Sequence, residues 1–250
     1  MFATCALLLG LGITPQEPRQ VVIELRLMTV SPATADKVRA SIGGADGTAS
    51  RPLDDAATAA VMRTVQADDT SHVLCTPRIQ AAQGQSVMVA VGDDEQVVAG
   101  LDVQVKDGKP VCTPRREMAF VGFKFHSTPN IADDGKSVRL EIDSALSARS
   151  GKSRPFTYSV PAESAGDPPI SVTQWVEDAG VETQRVKATV SMADASTVVL
   201  TNGQQMVETR SEQRVPVLSN LPTVGKLFRT TTTTQEPREV LLFVTTRIVK

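Results

Sequence analysis

Apolar and polar residues alternate through most of this chain, and a period of two predicts strands rather than helices. Residues 20–30, QVVIELRLMTV, place Val21, Ile23, Leu25 and Leu27 on one face, and Pro32 ends the run. Further strands are predicted at 72–80 (HVLCTPRIQ) and 86–92 (SVMVAVG), with a turn at Gly84 between them. Residues 119–131 and 137–146 read as a hairpin closed by Asp133-Asp134-Gly135. Its first strand carries Val121, Phe123 and Phe125 on one face and Gly122, Lys124 and His126 on the other. Its second carries Val138, Leu140 and Ile142 against Arg139 and Glu141. Strands return at 182–192, 196–202 and 239–249, which makes about eight in all.

Helical spacing predicts one clear helix, at 52–66 (PLDDAATAAVMRTVQ). Asp54 and Asp55 supply a cap and negative charge, and Ala56, Ala60, Val61 and Val65 form the apolar stripe. The pattern also allows a shorter helix at 33–42. Two stretches lose all periodicity. Residues 93–116 read as a charged loop. Residues 147–182, with Pro155, Pro161, Pro168 and Pro169, read as a long excursion within one domain. The fold class is therefore mainly β with one or two short helices. The tetrapeptide CTPR occurs at 75–78 and again at 112–115, in unlike settings, so it reads as coincidence.

Composition narrows the function. Of 250 residues, 41% are hydrophobic and 22% charged, which suits one globular domain. The net charge is -2 and the Lys and Arg residues are scattered, so no surface for nucleic acid is expected. Aromatic residues make up 4%, with Trp175 and Tyr158 single examples of their kind, too few for base-stacking platforms or a broad aromatic girdle. The apolar run from Phe2 to Ile13 has the length of a signal-peptide core rather than a membrane span. Residues 1–19 are accordingly expected to be a leader and 20–250 a single domain.

Candidate chemistry is sparse. Cys5 lies in the leader, and Cys75 and Cys112 are far apart and expected to be free or buried. His72 and His126 fall at polar positions of predicted strands, without a nucleophile motif beside them. The acidic doublets Asp54-Asp55, Asp68-Asp69, Asp93-Asp94 and Asp133-Asp134 coincide with predicted caps or turns rather than with calcium-loop spacing. No phosphate-binding loop or zinc pattern occurs. The chain is thus read as a non-enzyme, with no catalytic residues, cofactor or metal.

The C-terminal segment 215–249, VPVLSNLPTVGKLFRTTTTTQEPREVLLFVTTRIV, resembles the signature that closes the bacterial secretins. These are the ring-forming channel proteins of type II and type III secretion and of type IV pili. Val215, Pro216, Leu221, Pro222, Gly225, Leu227 and Phe228 match that signature by type and spacing. Segments 21–31, 72–97, 120–147 and 185–203 resemble the family's preceding strands in the same order. Two departures stand out: Thr201-Asn202-Gly203 replaces a Gly-Gly turn, and Ser219-Asn220 replaces Gly-Asp between the prolines. Asn and Gly both tolerate the left-handed backbone of such turns.

The resemblance implies a β-domain that gives strands to a multi-subunit barrel, with 93–116 and 147–182 as gate or lip. It implies a homo-oligomeric ring that works with other secretion-system components in the cell envelope, in the periplasm or the outer membrane, as a channel for protein secretion. No counterpart of the family's N-terminal periplasmic ring domains is found in these residues, so a stand-alone envelope binding or scaffold domain without a pore stays open as a second reading. Within the signature, the two prolines predict a stiff strap, Gly225 a turn that anchors Leu227 and Phe228, and Thr230–Thr234 the start of the last strand.

Overall fold

The computed structural model describes residues 19–43, 49–106, 109–149, 153–160, 170–176, 180–214 and 229–249. The expected leader, Arg19 apart, and the whole strap with its seven signature residues lie outside the described residues.

β1 (Gln20–Val30) is buried on both faces, so its sequence is nearly continuous in apolar residues. Ser31 follows as the N-cap of α1 (Pro32–Ile42), its hydroxyl accepting from the Thr34 amide at 3.3 Å, and Pro32 sits where its missing N–H costs nothing. α2 (Asp55–Gln66) starts in the same way, with the Asp54 carboxylate accepting from the Ala57 amide at 2.8 Å. Its buried residues are Val61 and Val65, flanked by partly buried Ala57 and Met62. Ala56 and Ala60 are exposed, contrary to expectation, because the large valines set the helix phase and the alanines fall to one side of it.

Sheet A runs β10 (Thr197–Arg214), β11 (Arg229–Val249) and β1, followed by β2 (His72–Cys75) and β3 (Arg78–Ala82). The last two pair one after the other along the far edge of β1 and together make one interrupted strand. Sheet B runs β4 (Val87–Lys106), β5 (Lys109–Ile131), β6 (Ser137–Arg149) and β9 (Val181–Ala193). A separate hairpin pairs β7 (Arg154–Val160) with β8 (Ile170–Val176). Every pairing is antiparallel.

Three layers result. Val21, Ile23, Leu25 and Leu27, with Val240, Leu242 and Val244, face Phe123, Phe125, Leu140 and Ile142 of sheet B. Met28, Val30, Leu241 and Phe243 point the other way, onto Val38, Ile42, Val61 and Val65 of the helices. Each fully buried Leu, Ile or Phe contributes about 1.5–3 kcal/mol relative to exposure, so these two interfaces hold the fold together.

Two expectations are corrected. Residues 93–116 are not a loop, since they form most of a long β4–β5 hairpin, and the excursion at 147–182 contains the β7–β8 hairpin. Both run beyond the layered core, where neither face has to be apolar and the period of two fades. The described residues therefore hold eleven strands and two helices. For the same reason Asp93-Asp94 lies within β4 and not in a turn, and the second CTPR lies within β5. The other doublets do cap: Asp68 accepts from the Ser31 and Thr70 amides at 2.8 and 2.9 Å, and Asp134 from the Lys136 amide at 2.8 Å. The threonine run begins β11, with Thr230 opposite Gln213 and Thr234 opposite Thr209.

Candidate functional site

Among the described residues, both sheets end in strands whose outer hydrogen-bonding groups have no partner sheet. Sheet B exposes β4 on one side and β9 on the other. Sheet A exposes β2 and β3 on one side; on the other, β10 is bridged at Thr197 and Leu200 by Leu53 and Ala49, and its continuation is an edge. Unpaired edges of this length template pairing with another chain unless they are covered. Each sheet counts four strands across, alternating in direction, so its two edge strands run opposite ways. A copy related by rotation about the strand direction therefore meets each edge in antiparallel sense.

Sheet B also projects. β6 pairs β5 only as far as Gly122 opposite Ser147, yet β4 and β5 continue together to Lys106 and Lys109. At the root of this arm Gly92 and Gly122 face each other, with φ of +155° and +145°. A Cβ on Gly92 would lie 2.2 Å from the Val121 carbonyl oxygen, and one on Gly122 would lie 2.4 Å from that of Val91. The two strands are closer here than any side chain permits, and the backbone conformation is one that only glycine adopts readily. The Phe120 ring covers the pair from one side, and the Lys124 ammonium sits 4.1 Å from its centroid. The pair is a built close approach of the two strands. It was missed in the sequence, although a lone glycine inside each of two strand patterns is the signal that finds it.

The β10–β11 arm is rooted differently. Glu239, 8% exposed, accepts from Arg39 at 2.6 Å and from Gln204 at 2.9 Å, where β1 stops pairing with β11. Donating to Glu239 holds the Arg39 guanidinium above its ordinary value. Next to it, buried Arg238 donates to the Thr70 carbonyl at 3.2 Å. The Thr201-Asn202-Gly203 departure is a bulge in β10 rather than a turn. Gly203 alone takes positive φ, at +86°, while Asn202 is fully buried and accepts from Ser144 of sheet B at 3.2 Å.

The face of sheet B turned away from sheet A is polar. Lys124, His126, Arg139, Glu141, Arg185 and Lys187 are exposed on it. Arg185 grips Asp143 with two hydrogen bonds of 2.6 and 2.5 Å, which hold that carboxyl below its ordinary value and the guanidinium above its own. His126 lies opposite Asp143 and meets the Ser86 hydroxyl at 2.6 Å. Although Ser, His and Asp share one face, Asp143 serves Arg185 and the serine hydroxyl is exposed at a strand entry. His72 is exposed on β2, and burial pushes the Cys75 thiol up, which makes it a poor nucleophile. Cys75 and Cys112 are both free. Among the described residues, no three His, Cys, Asp or Glu side chains gather as a metal set.

Two stacked antiparallel sheets with open edges, helices over one and hairpins projecting from the other, define a strand-donating β-domain. The family model described as "Secretin: Bacterial type II and III secretion system protein" matches residues 64–250, and the chain belongs to that family. It is 26% identical over 239 residues to secretin GspD 2 of Escherichia coli O78:H11, covering 94% of this chain and 31% of that protein. It is 25% identical over 191 residues to the virion export protein of Enterobacteria phage I2-2, covering 76% of this chain and 39% of that protein. The chain thus spans less than half the length of these relatives. Among solved structures, Aeromonas hydrophila ExeD aligns at 17% identity and TM-score 0.38, covering 93% of this chain and 49% of that one.

Proposed function

We propose that copies of this chain join edge to edge into a ring with two concentric walls, a secretin channel of the outer membrane that passes protein. The observation that carries the reading is the pair of open four-strand sheets with oppositely directed edges, which extend by head-to-tail addition and close by rotation. Sheet A, bearing the helices, makes the outer wall, and the polar face of sheet B lines the lumen. In this ring the β4–β5 arm, rooted at the Gly92–Gly122 pair, and the β7–β8 hairpin form the gate. Residues 1–19 act as the export leader and 20–250 as the wall domain. Val215, Pro216, Leu221, Pro222, Gly225, Leu227 and Phe228 form the strap between β10 and β11. The chain does no covalent chemistry, and its partners are further copies and other components of the secretion system.

Electron microscopy of protein extracted from membranes tests the reading. Rings with a lumen are expected. A monomer at high concentration would remove the channel and leave the envelope scaffold.

A further inference from the structure

We infer that the free face of sheet B makes the conduit favour anionic cargo, namely proteins with acidic surfaces. The inference rests on the ring proposed above. Between the β5–β6 turn and the glycine pair, this face carries Lys124, Arg139, Arg185 and Lys187 against two carboxylates, Glu141 and Asp143. It is thus two charges positive in a chain whose net charge is -2. The segregation is a property of the face and not of the composition.

The arrangement leaves that positive charge available. Asp143 is spent within the chain on Arg185, with Lys187 3.7 Å away, and Lys187 remains 69% exposed. Arg139 is exposed at the opposite end of the sheet and has no ion pair among the described residues. A shallow depression of about 370 Å³ between His126, Glu141, Asp143 and Lys187 holds both carboxylates and one of the four cations, so the surplus positive charge lies around it, on Lys124, Arg139 and Arg185. Repetition around a ring turns each cation into a circle of cations. Clefts lined by one sign of charge raise the local concentration of the opposite sign, and rings of Lys or Arg select anions in pores.

Two readouts test this on the intact chain. Fluorescent poly-L-glutamate and poly-L-lysine are titrated at ~10 mM salt, where the Debye length is about 30 Å. Polyglutamate is expected to bind more tightly, despite the acidic chain. Arg139→Glu/Lys187→Glu, two exposed changes that leave the glycine pair and the two Arg185–Asp143 hydrogen bonds in place, moves the face from two positive to two negative charges and should reverse the order. Arg139→Gln/Lys187→Gln should fall between them. Assembled rings in planar bilayers should pass chloride more readily than potassium, and the double Glu variant should invert the ratio. Tighter polylysine binding, or an ion preference unmoved by the charge reversal, overturns the inference while the ring stands. Absence of rings by microscopy overturns the ring and the inference together.

Discussion

Placing a methyl group at the root of the β4–β5 arm should unlock that arm without melting the core. In Gly122→Ala the new Cβ would lie 2.4 Å from the Val91 carbonyl oxygen and 2.6 Å from the Gly92 Cα, both below the 3.0 Å that real contacts respect. Both neighbours are backbone, so no rotamer change relieves them. The φ of +145° adds about 1–3 kcal/mol for a side chain held in a sparsely populated region. Separating the strands forfeits about one ladder hydrogen bond, worth ~1 kcal/mol. The arm should therefore lose about 2–4 kcal/mol of local stability, and its amides should exchange about 30- to 700-fold faster. Gly100→Ala is the control within the same arm, since its Cβ meets only the flexible Arg115 side chain, nearest at 3.2 Å. Hydrogen exchange read by mass spectrometry should show fast exchange over 93–121 in Gly122→Ala, with 240–244 unchanged. Wild-type exchange in Gly122→Ala, or an equal effect from Gly100→Ala, would refute the reasoning.

The other predictions concern the body of the domain. Phe125→Ala, at a fully buried position between the sheets, should cost about 3–5 kcal/mol in a denaturant titration, and a loss under 1 kcal/mol would contradict the layered core. Arg39→Ala strips the buried Glu239 carboxylate of its cation and should cost about 1.5–3 kcal/mol, with Arg39→Ala/Glu239→Gln recovering part of the loss; a double variant no better than the single one would show that the pair is idle. Burial alone would push the Asp68 carboxyl up, but hydrogen bonds from Thr70 and Ser31 outweigh it and hold the group well below the carboxylate range. Its stabilisation is thus present above the unfolded value of about 3.9 and is lost as the pH falls below it. Asp68→Asn should be less stable at neutral pH and converge with the wild type toward pH ~2, whereas a gap that does not narrow would show that the carboxylate is not the source.

The layered core could be read from the sequence because burial enforces alternation. Val21 to Leu27 and Val138 to Ile142 had to be apolar at every second position to sit between two sheets, and they are. The caps at Asp54 and Asp134 were legible because aspartate at a helix or turn entry satisfies backbone donors. The arms were not. Asp93, Asp94 and Glu95 lie in a strand with solvent on both faces, where nothing enforces a period, so charge density imitated a loop. The Gly92–Gly122 contact stayed hidden for a different reason: each glycine is unremarked alone, and only the β4–β5 register brings them together. The open edges are legible in neither sense, since sequence pattern reports which face a residue takes and not which strand ends a sheet. The polar face of sheet B stood in the alternation of Lys124 and His126 with Phe123 and Phe125, but its excess of cations needed the register of β6 and β9.

Head-to-tail addition through sheet B is the centre of the account, and cysteine cross-linking in membranes measures it most directly. In a chain lacking Cys75 and Cys112, a cysteine at Thr189 on β9 is combined with one scanned along β4 at Met88, Ala90 and Asp94. One of these combinations should give a ladder of disulfide-linked multimers, while each single-cysteine chain stays monomeric on a denaturing gel. Dimers from a β4 cysteine alone would mean that like edges meet, and the ring would then be wrong.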